Sequence, residues 1–170
     1  MNIVLFGFMG TGKTAVGKIL SKRLGWTFLD TDEMIETQTG TTISQIFAKA
    51  GEPAFRDTET QTIRLVALMD KTVIATGGGA PLREENVREL EKKGLTVCLL
   101  ARPETIMERL KDEVDKRPLL KGADPFLKVQ KILDDRRAAY ARVTHSIATD
   151  GLSPEQVADE ILALLPAGAR

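Results

Sequence analysis

An α/β fold on a mainly parallel sheet, covered by helices on both faces, is predicted by three features of this 170-residue chain. Short apolar runs alternate with longer segments of helical periodicity, the pattern that a parallel sheet with crossover helices requires. The apolar runs are close to continuous, as strands buried on both faces must be. The first run ends in a glycine-rich loop, where a strand hands over to a helix.

The elements follow in order. Asn2 to Phe6 is a buried strand; Met1 to Met9 has no basic leader and is not read as a signal peptide. Val16, Ile19, Leu20 and Leu24 fall at helical spacing, and Gly25 stops that helix. Thr27 to Leu29 is a second strand. Thr41 to Ala50 and Glu52 to Met69 read as helices punctuated by Gly51 and Pro53, and Thr72 to Ala75 is a third strand that ends in Gly77-Gly78-Gly79. Glu84 to Lys93 is a charged helix with Gly94 as its stop, and Leu95 to Leu100 a fourth strand. Pro103 opens a helix to Leu110. Between Lys111 and Pro125 the periodicity fails, and a connection of that length suggests a lid. Phe126 to Arg142 is helical and Ser146 to Ala148 a short strand. Ser153 caps a last amphipathic helix to Leu165, and Pro166 to Arg170 is a frayed tail.

Composition sets the outer limits. Hydrophobic residues make up 42% and charged residues 28%, which suits one soluble domain spanning 1–170. With 24 basic and 24 acidic residues the net charge is zero, which argues against a general nucleic-acid or membrane-surface binder. Cys98 is the single cysteine, so no intrachain disulfide is possible. A cytoplasmic protein is expected, and a monomer, because no extended apolar helix face is left over.

Gly7-Phe8-Met9-Gly10-Thr11-Gly12-Lys13-Thr14 matches the phosphate-loop pattern GxxxxGK[ST] in its required strand-to-helix setting. The loop N–H groups and the helix N-terminus cradle phosphate, Lys13 reaches the β- and γ-phosphates, and the Thr14 hydroxyl ligates Mg²⁺. Gly10, Thr11, Gly12 and Ala15 complete the ATP-binding set. Asp30 and Asp32 follow the second strand, at the sheet edge where α/β folds bind ligands. If that segment is extended, both carboxylates face one cavity, one to hold Mg²⁺ and the other to deprotonate an acceptor hydroxyl. The competing reading is a pair of helix-capping acids before Glu33. Three glycines at 77–79 suit close approach of backbone to a ligand. Arg56, Arg117 and Arg136 lie in separate segments, and Arg117 sits within the lid, placed to close over phosphates. His145, Cys98 and Trp26 read as structural.

Taken together, GFMGTGKT at 7–14, DTD at 30–32, FR at 55–56, GGG at 77–79, RPLL at 117–120 and R-x-x-x-Y at 136–140 resemble the shikimate kinase family, from Met1 to about Leu165. The resemblance implies a five-stranded parallel sheet, an acceptor-binding helical region at about 31–62, and a lid at about 111–125. It implies ATP, Mg²⁺ and transfer of the γ-phosphate to the 3-hydroxyl of shikimate. Asp32, Arg56, Gly78, Gly79 and Arg136 would hold shikimate, and Asp30 with Thr14 the metal. Arg117 would contact phosphate, while Pro154, and Arg109 with it, would stand beside the adenine. Where the family often has Pro-Leu before the tyrosine, this chain has Ala138-Ala139, and Arg137 stands beside Arg136 as a rival. The alternatives are a gluconate or nucleoside monophosphate kinase, a GTP-dependent switch, which lacks its Asn-Lys-x-Asp guanine reader here, and a non-catalytic nucleotide-binding module.

Overall fold

The computed structural model describes residues 1–113, 118–120 and 122–168. Its five strands are β1 (Asn2–Gly7), β2 (Thr27–Asp30), β3 (Thr72–Ala75), β4 (Gly94–Leu100) and β5 (His145–Ala148). They form one sheet in the order β2-β3-β1-β4-β5, every pairing parallel. β1 lies at the centre and all of its residues are buried. Its side chains alternate between two cores, as a strand's period of two requires. Ile3 and Leu5 point to one face, where they meet Val16 and Leu20 of α1 (Lys13–Leu24) and Ile161 of α7 (Pro154–Leu164). Val4 and Phe6 point to the other. There they meet Ile63 and Val66 of α3 (Ile43–Ala67), Val87 and Leu90 of α4 (Glu84–Glu91), Ile106 of α5 (Pro103–Leu110) and Val129 of α6 (Pro125–Tyr140). Each such aliphatic side chain contributes about 1.5–3 kcal/mol of burial, which makes the sheet a rigid base for the loops at its carboxyl edge.

That edge carries the chemistry. β1 ends at Gly7 and runs into the phosphate loop, β2 ends at Asp30, and β3 ends just before Thr76 and the three glycines. Because β1 sits between β3 and β4, the loop after it opens beside the ends of both neighbours, the crevice in which open α/β sheets hold ligands.

The structure departs from the sequence reading at two places, the Asp30-Thr31-Asp32 stretch and Gly94. The Asp30-Thr31-Asp32 stretch is not extended: Asp30 is the N-cap of a further helix, α2 (Thr31–Thr39), and its side chain accepts from the Asp32 N–H. Asp32 and Glu33 in the first turn favour that helix through its dipole. Gly94, expected as a helix stop, is the first residue of β4. Within the expected lid, Pro118–Leu120 form a 3₁₀ turn and Leu120 is wholly buried in the core beneath α5 and α6, so the segment carries a firm apolar anchor. Arg117 lies outside the described residues. The break between the two helical pieces at Gly51 is present, with φ 81° inside α3. Among the described residues no helix is long and apolar enough to cross a membrane.

Candidate active site

A cavity of about 680 Å³ opens along the carboxyl edge, and it gathers residues from the phosphate loop, β2, α3, the glycine turn, α5, α6 and α7. Gly12 is the N-cap of α1 in the left-handed conformation (φ 98°), which a residue with a Cβ rarely adopts, and the helix start has no side-chain cap. The positive end of α1 is thereby turned to whatever the loop encloses. Thr11 closes the loop by donating its hydroxyl to the Phe8 carbonyl at 2.7 Å. The Lys13 ammonium folds over the same loop and donates to the carbonyls of Gly7 (2.8 Å) and Phe8 (3.0 Å). Gly10, Thr11, Gly12, Lys13, Thr14 and Ala15 all line the cavity, as the motif predicts.

Asp30 holds two positions at once. One carboxylate oxygen caps α2 through the Asp32 N–H at 3.0 Å, and the other accepts from the Thr14 hydroxyl at 3.4 Å. The capping reading of this residue holds, and the cap also orients the carboxylate toward the phosphate loop. Hydroxyl and carboxylate oxygens are hard donors of the kind Mg²⁺ selects. Among the described residues no group of three or more His, Cys, Asp or Glu side chains is assembled for a metal. Thr14 and Asp30 thus suit a cation that completes its shell with phosphate and water.

Asp32 lies deeper, one residue into α2. Burial is the main force that pushes its pKa from 3.8 to about 6, with the negative charges of Asp30 and Glu59 adding to it; Lys13 and Arg56 pull the other way. A carboxylate poised near neutrality is what a general base requires. Across the cavity Arg56 is 8% exposed, and Glu59, one turn along α3, is fully buried. Arg56 Nη1 donates to Glu59 Oε2 at 2.7 Å, while Nε and Nη2 share Glu52 Oε1 at 3.3 and 3.2 Å. The guanidinium is held flat against Gly79, where an added Cβ would lie 2.2 Å from Nη2. Burial also raises the pKa of Glu59, against the opposing charges and hydrogen bond of Arg56 and the charges of Arg136 and Arg83.

Glu59 is the site residue the sequence reading missed. Its signal was the helical period: a carboxylate three residues after Arg56 shares its face of α3. The apolar wall formed by Ile43, Phe47, Phe55 and Leu119 was missed as well, with the two phenyl rings 4.8 Å apart and inclined at 38°.

Arg136 enters from α6, with its guanidinium 5.8 Å from the centre of the Phe8 ring, and lines the cavity. Arg137 points away and binds Asp134 at 2.6 Å, which separates the two rivals. One turn beyond Arg136, Tyr140 donates its hydroxyl to the Gly78 carbonyl at 2.8 Å. At the opposite end, Arg109 of α5 donates to the carbonyl of Gly10 (3.1 Å) and to the hydroxyl and carbonyl of Thr149 (3.0 and 2.8 Å). Pro154, at the start of α7, lines that same end.

The residues read as structural lie elsewhere. Trp26 packs against the core under α1 and α7, and His145 opens β5. Burial pushes the Cys98 thiol up to about 12, which leaves it unreactive.

Three comparisons agree on the family to which the chain is similar. The family model described as shikimate kinase matches residues 9–166. The shikimate kinase of Thermodesulfovibrio yellowstonii is 48% identical over 161 residues, covering 95% of this chain and 92% of that protein. That of Symbiobacterium thermophilum is 45% identical, covering 95% and 94%. The solved structure of shikimate kinase from Acinetobacter baumannii in complex with shikimate superposes with a TM-score of 0.89 at 39% identity, covering 96% of this chain and 91% of that one. A gluconokinase from Sinorhizobium meliloti superposes with a TM-score of 0.57 at 16% identity, a likeness of fold alone.

Proposed function

The chain belongs to the shikimate kinase family, and from that premise we propose that it transfers the γ-phosphate of ATP to the 3-hydroxyl of shikimate, releasing ADP and shikimate 3-phosphate. The observation that carries this reading is the placing of two arginines, Arg56 and Arg136, in one cavity with the buried carboxylate Asp32 and the phosphate loop. The acceptor this set fits is a compact polyhydroxylated carboxylate. Guanidinium forks bind a carboxylate through paired donors, and the N–H groups of the glycine turn supplement them. Asp32 stands at the hydroxyl to be phosphorylated.

In this mechanism the hydroxyl oxygen attacks the γ-phosphorus as the bond to the bridging oxygen of ADP breaks, and the hydroxyl proton passes to Asp32. Lys13 leaves its loop carbonyls for the phosphates and offsets the charge that spreads over the migrating group. Arg117, which the family pattern places in the lid, is assigned to the same charge. Thr14 and Asp30 would hold Mg²⁺, which when bound neutralises the β- and γ-phosphate oxygens. Arg109 and Pro154 flank the adenine.

A coupled assay of ADP release with a panel of acceptors tests the proposal. Release that depends on shikimate, and not on gluconate or a nucleoside monophosphate, is expected. ATP turnover indifferent to shikimate would refute it.

A further inference from the structure

In the glycine turn each carbonyl can be accounted for. Gly77 O accepts from the Ala80 N–H and Gly79 O from the Leu82 N–H, both local bonds within the turn. The Gly77 N–H is tied to the Thr31 hydroxyl at 3.1 Å. The remaining carbonyl, that of Gly78, is held from a distant element, by the hydroxyl of Tyr140 on α6. A peptide between two glycines has no side chain to restrain it and can rotate at small cost. The Tyr140 hydroxyl is therefore what fixes the plane of the Gly78–Gly79 peptide.

That plane has a second end. In a trans peptide the N–H points opposite to the C=O, so the Gly79 N–H is directed away from the phenol. Gly79 is buried and lines the cavity, and among the described residues nothing accepts its N–H. Arg136 stands one turn before Tyr140 on the same helix, and an added Cβ at Gly78 would lie 3.3 Å from its Nη1. One helix thus delivers both a guanidinium and a hydroxyl to the same glycine.

We infer that Tyr140 is a positioning residue for acceptor recognition, its hydroxyl holding the Gly78–Gly79 peptide so that the Gly79 N–H faces the acceptor carboxylate. The inference rests on the carboxylate reading of the site given above. It also accounts for a buried phenol: the ring is 6% exposed, and a buried hydroxyl needs an acceptor. Burial pushes its pKa up to about 12, against the nearby Arg136 charge, so the hydroxyl remains a donor at any ordinary assay pH.

Tyr140→Phe removes the hydroxyl and keeps the ring, so it separates positioning from packing. The assay compares shikimate with its methyl ester as acceptors for wild type and variant, with ATP varied in parallel. For shikimate, KM should rise about 10-fold, the loss of one well-aligned contact, with kcat and the KM for ATP within about twofold. For the ester the variant should cost little, because the anionic partner of the aligned N–H is gone. An unchanged KM for shikimate, or equal losses on acid and ester, would overturn the role of Tyr140 while leaving the carboxylate reading intact. A wild type that does not prefer the acid to the ester would overturn that reading and this inference with it. Shikimate binding measured by calorimetry without nucleotide, on protein shown by thermal melting to be folded, gives the same comparison independently of turnover.

Discussion

Asp32 Oδ1 and Glu59 Oε1 converge on the α-carbon of Gly77, where an added Cβ would lie 2.6 Å from the first and 2.8 Å from the second. Both oxygens are buried, and neither has a hydrogen-bond partner in the protein. Two carboxylates on different helices are thus brought together over a residue with no side chain, and each raises the cost of ionising its neighbour. Such strain is characteristic of functional sites, where unsatisfied polar groups await a ligand.

Gly77→Ala should consequently damage acceptor use more than it damages the fold. The new methyl group must push both carboxylates aside, and a displacement of about 1 Å at a reacting group can cost on the order of 10²-fold in rate. Steady-state kinetics should show kcat/KM for shikimate down about 10–100-fold, with the KM for ATP little changed. Wild-type kinetics in a folded variant would mean that Asp32 and Glu59 are not held by this contact.

Asp32→Asn should raise stability at neutral pH and lose that gain in acid. The folded pKa, about 6, exceeds the ordinary 3.8, so the native state binds the proton more tightly than the unfolded chain does. The stability that Asp32 contributes is fully present below pH 3.8 and is lost as pH rises through about 6. Urea unfolding in the presence of a chelator should therefore find the variant more stable by roughly 2–3 kcal/mol at pH 7.5, and the two proteins converging near pH 3.5. A gain independent of pH would point to packing instead of charge.

Asp30→Asn isolates the metal role, because asparagine caps a helix about as well as aspartate. The melting temperature should stay close to that of wild type. The Mg²⁺ concentration needed for half-maximal rate should rise several-fold, with the rate recovering at high Mg²⁺. A variant with an unaltered Mg²⁺ titration would remove Asp30 from the metal's surroundings.

Lys13→Met should reduce kcat by about 10²-fold or more, since it removes a charge that acts on the migrating phosphoryl group. The circular dichroism spectrum should be native, because α1 is held by Val16 and Leu20 in the core and not by the lysine. Near-normal kcat in a folded variant would exclude Lys13 from the transfer step.

Much of this protein was determined by its sequence alone, for reasons of short range. The phosphate loop, the capping of α7 by Ser153 and the break at Gly51 each depend on residues within a few positions of one another. The continuous apolar strands likewise predict a sheet buried on both faces without reference to any partner. Asp30 was legible as either a metal-side acid or a helix cap; one of its oxygens makes the cap and the other meets the Thr14 hydroxyl. The helix that it caps was missed because α2 buries only Thr31 and Ile35, too few positions to give a period.

Only the tertiary structure decided which charged groups meet. Arg56 and Arg136 lie 80 positions apart in the chain, and a single cavity joins them because α3 and α6 both pack on the face of the sheet that Val4 and Phe6 present. Arg137 could not be set aside until α6 was seen to turn it toward Asp134. Glu59 carries no motif of its own and Tyr140 only closes R-x-x-x-Y, and their places at the site arise from the approach of one helix to Gly77 and of another to Gly78. Local sequence determines backbone conformation through dihedral preference and capping. The ionisation and direction of a buried group depend on which distant elements exclude water from it, and that is settled only when the chain is packed.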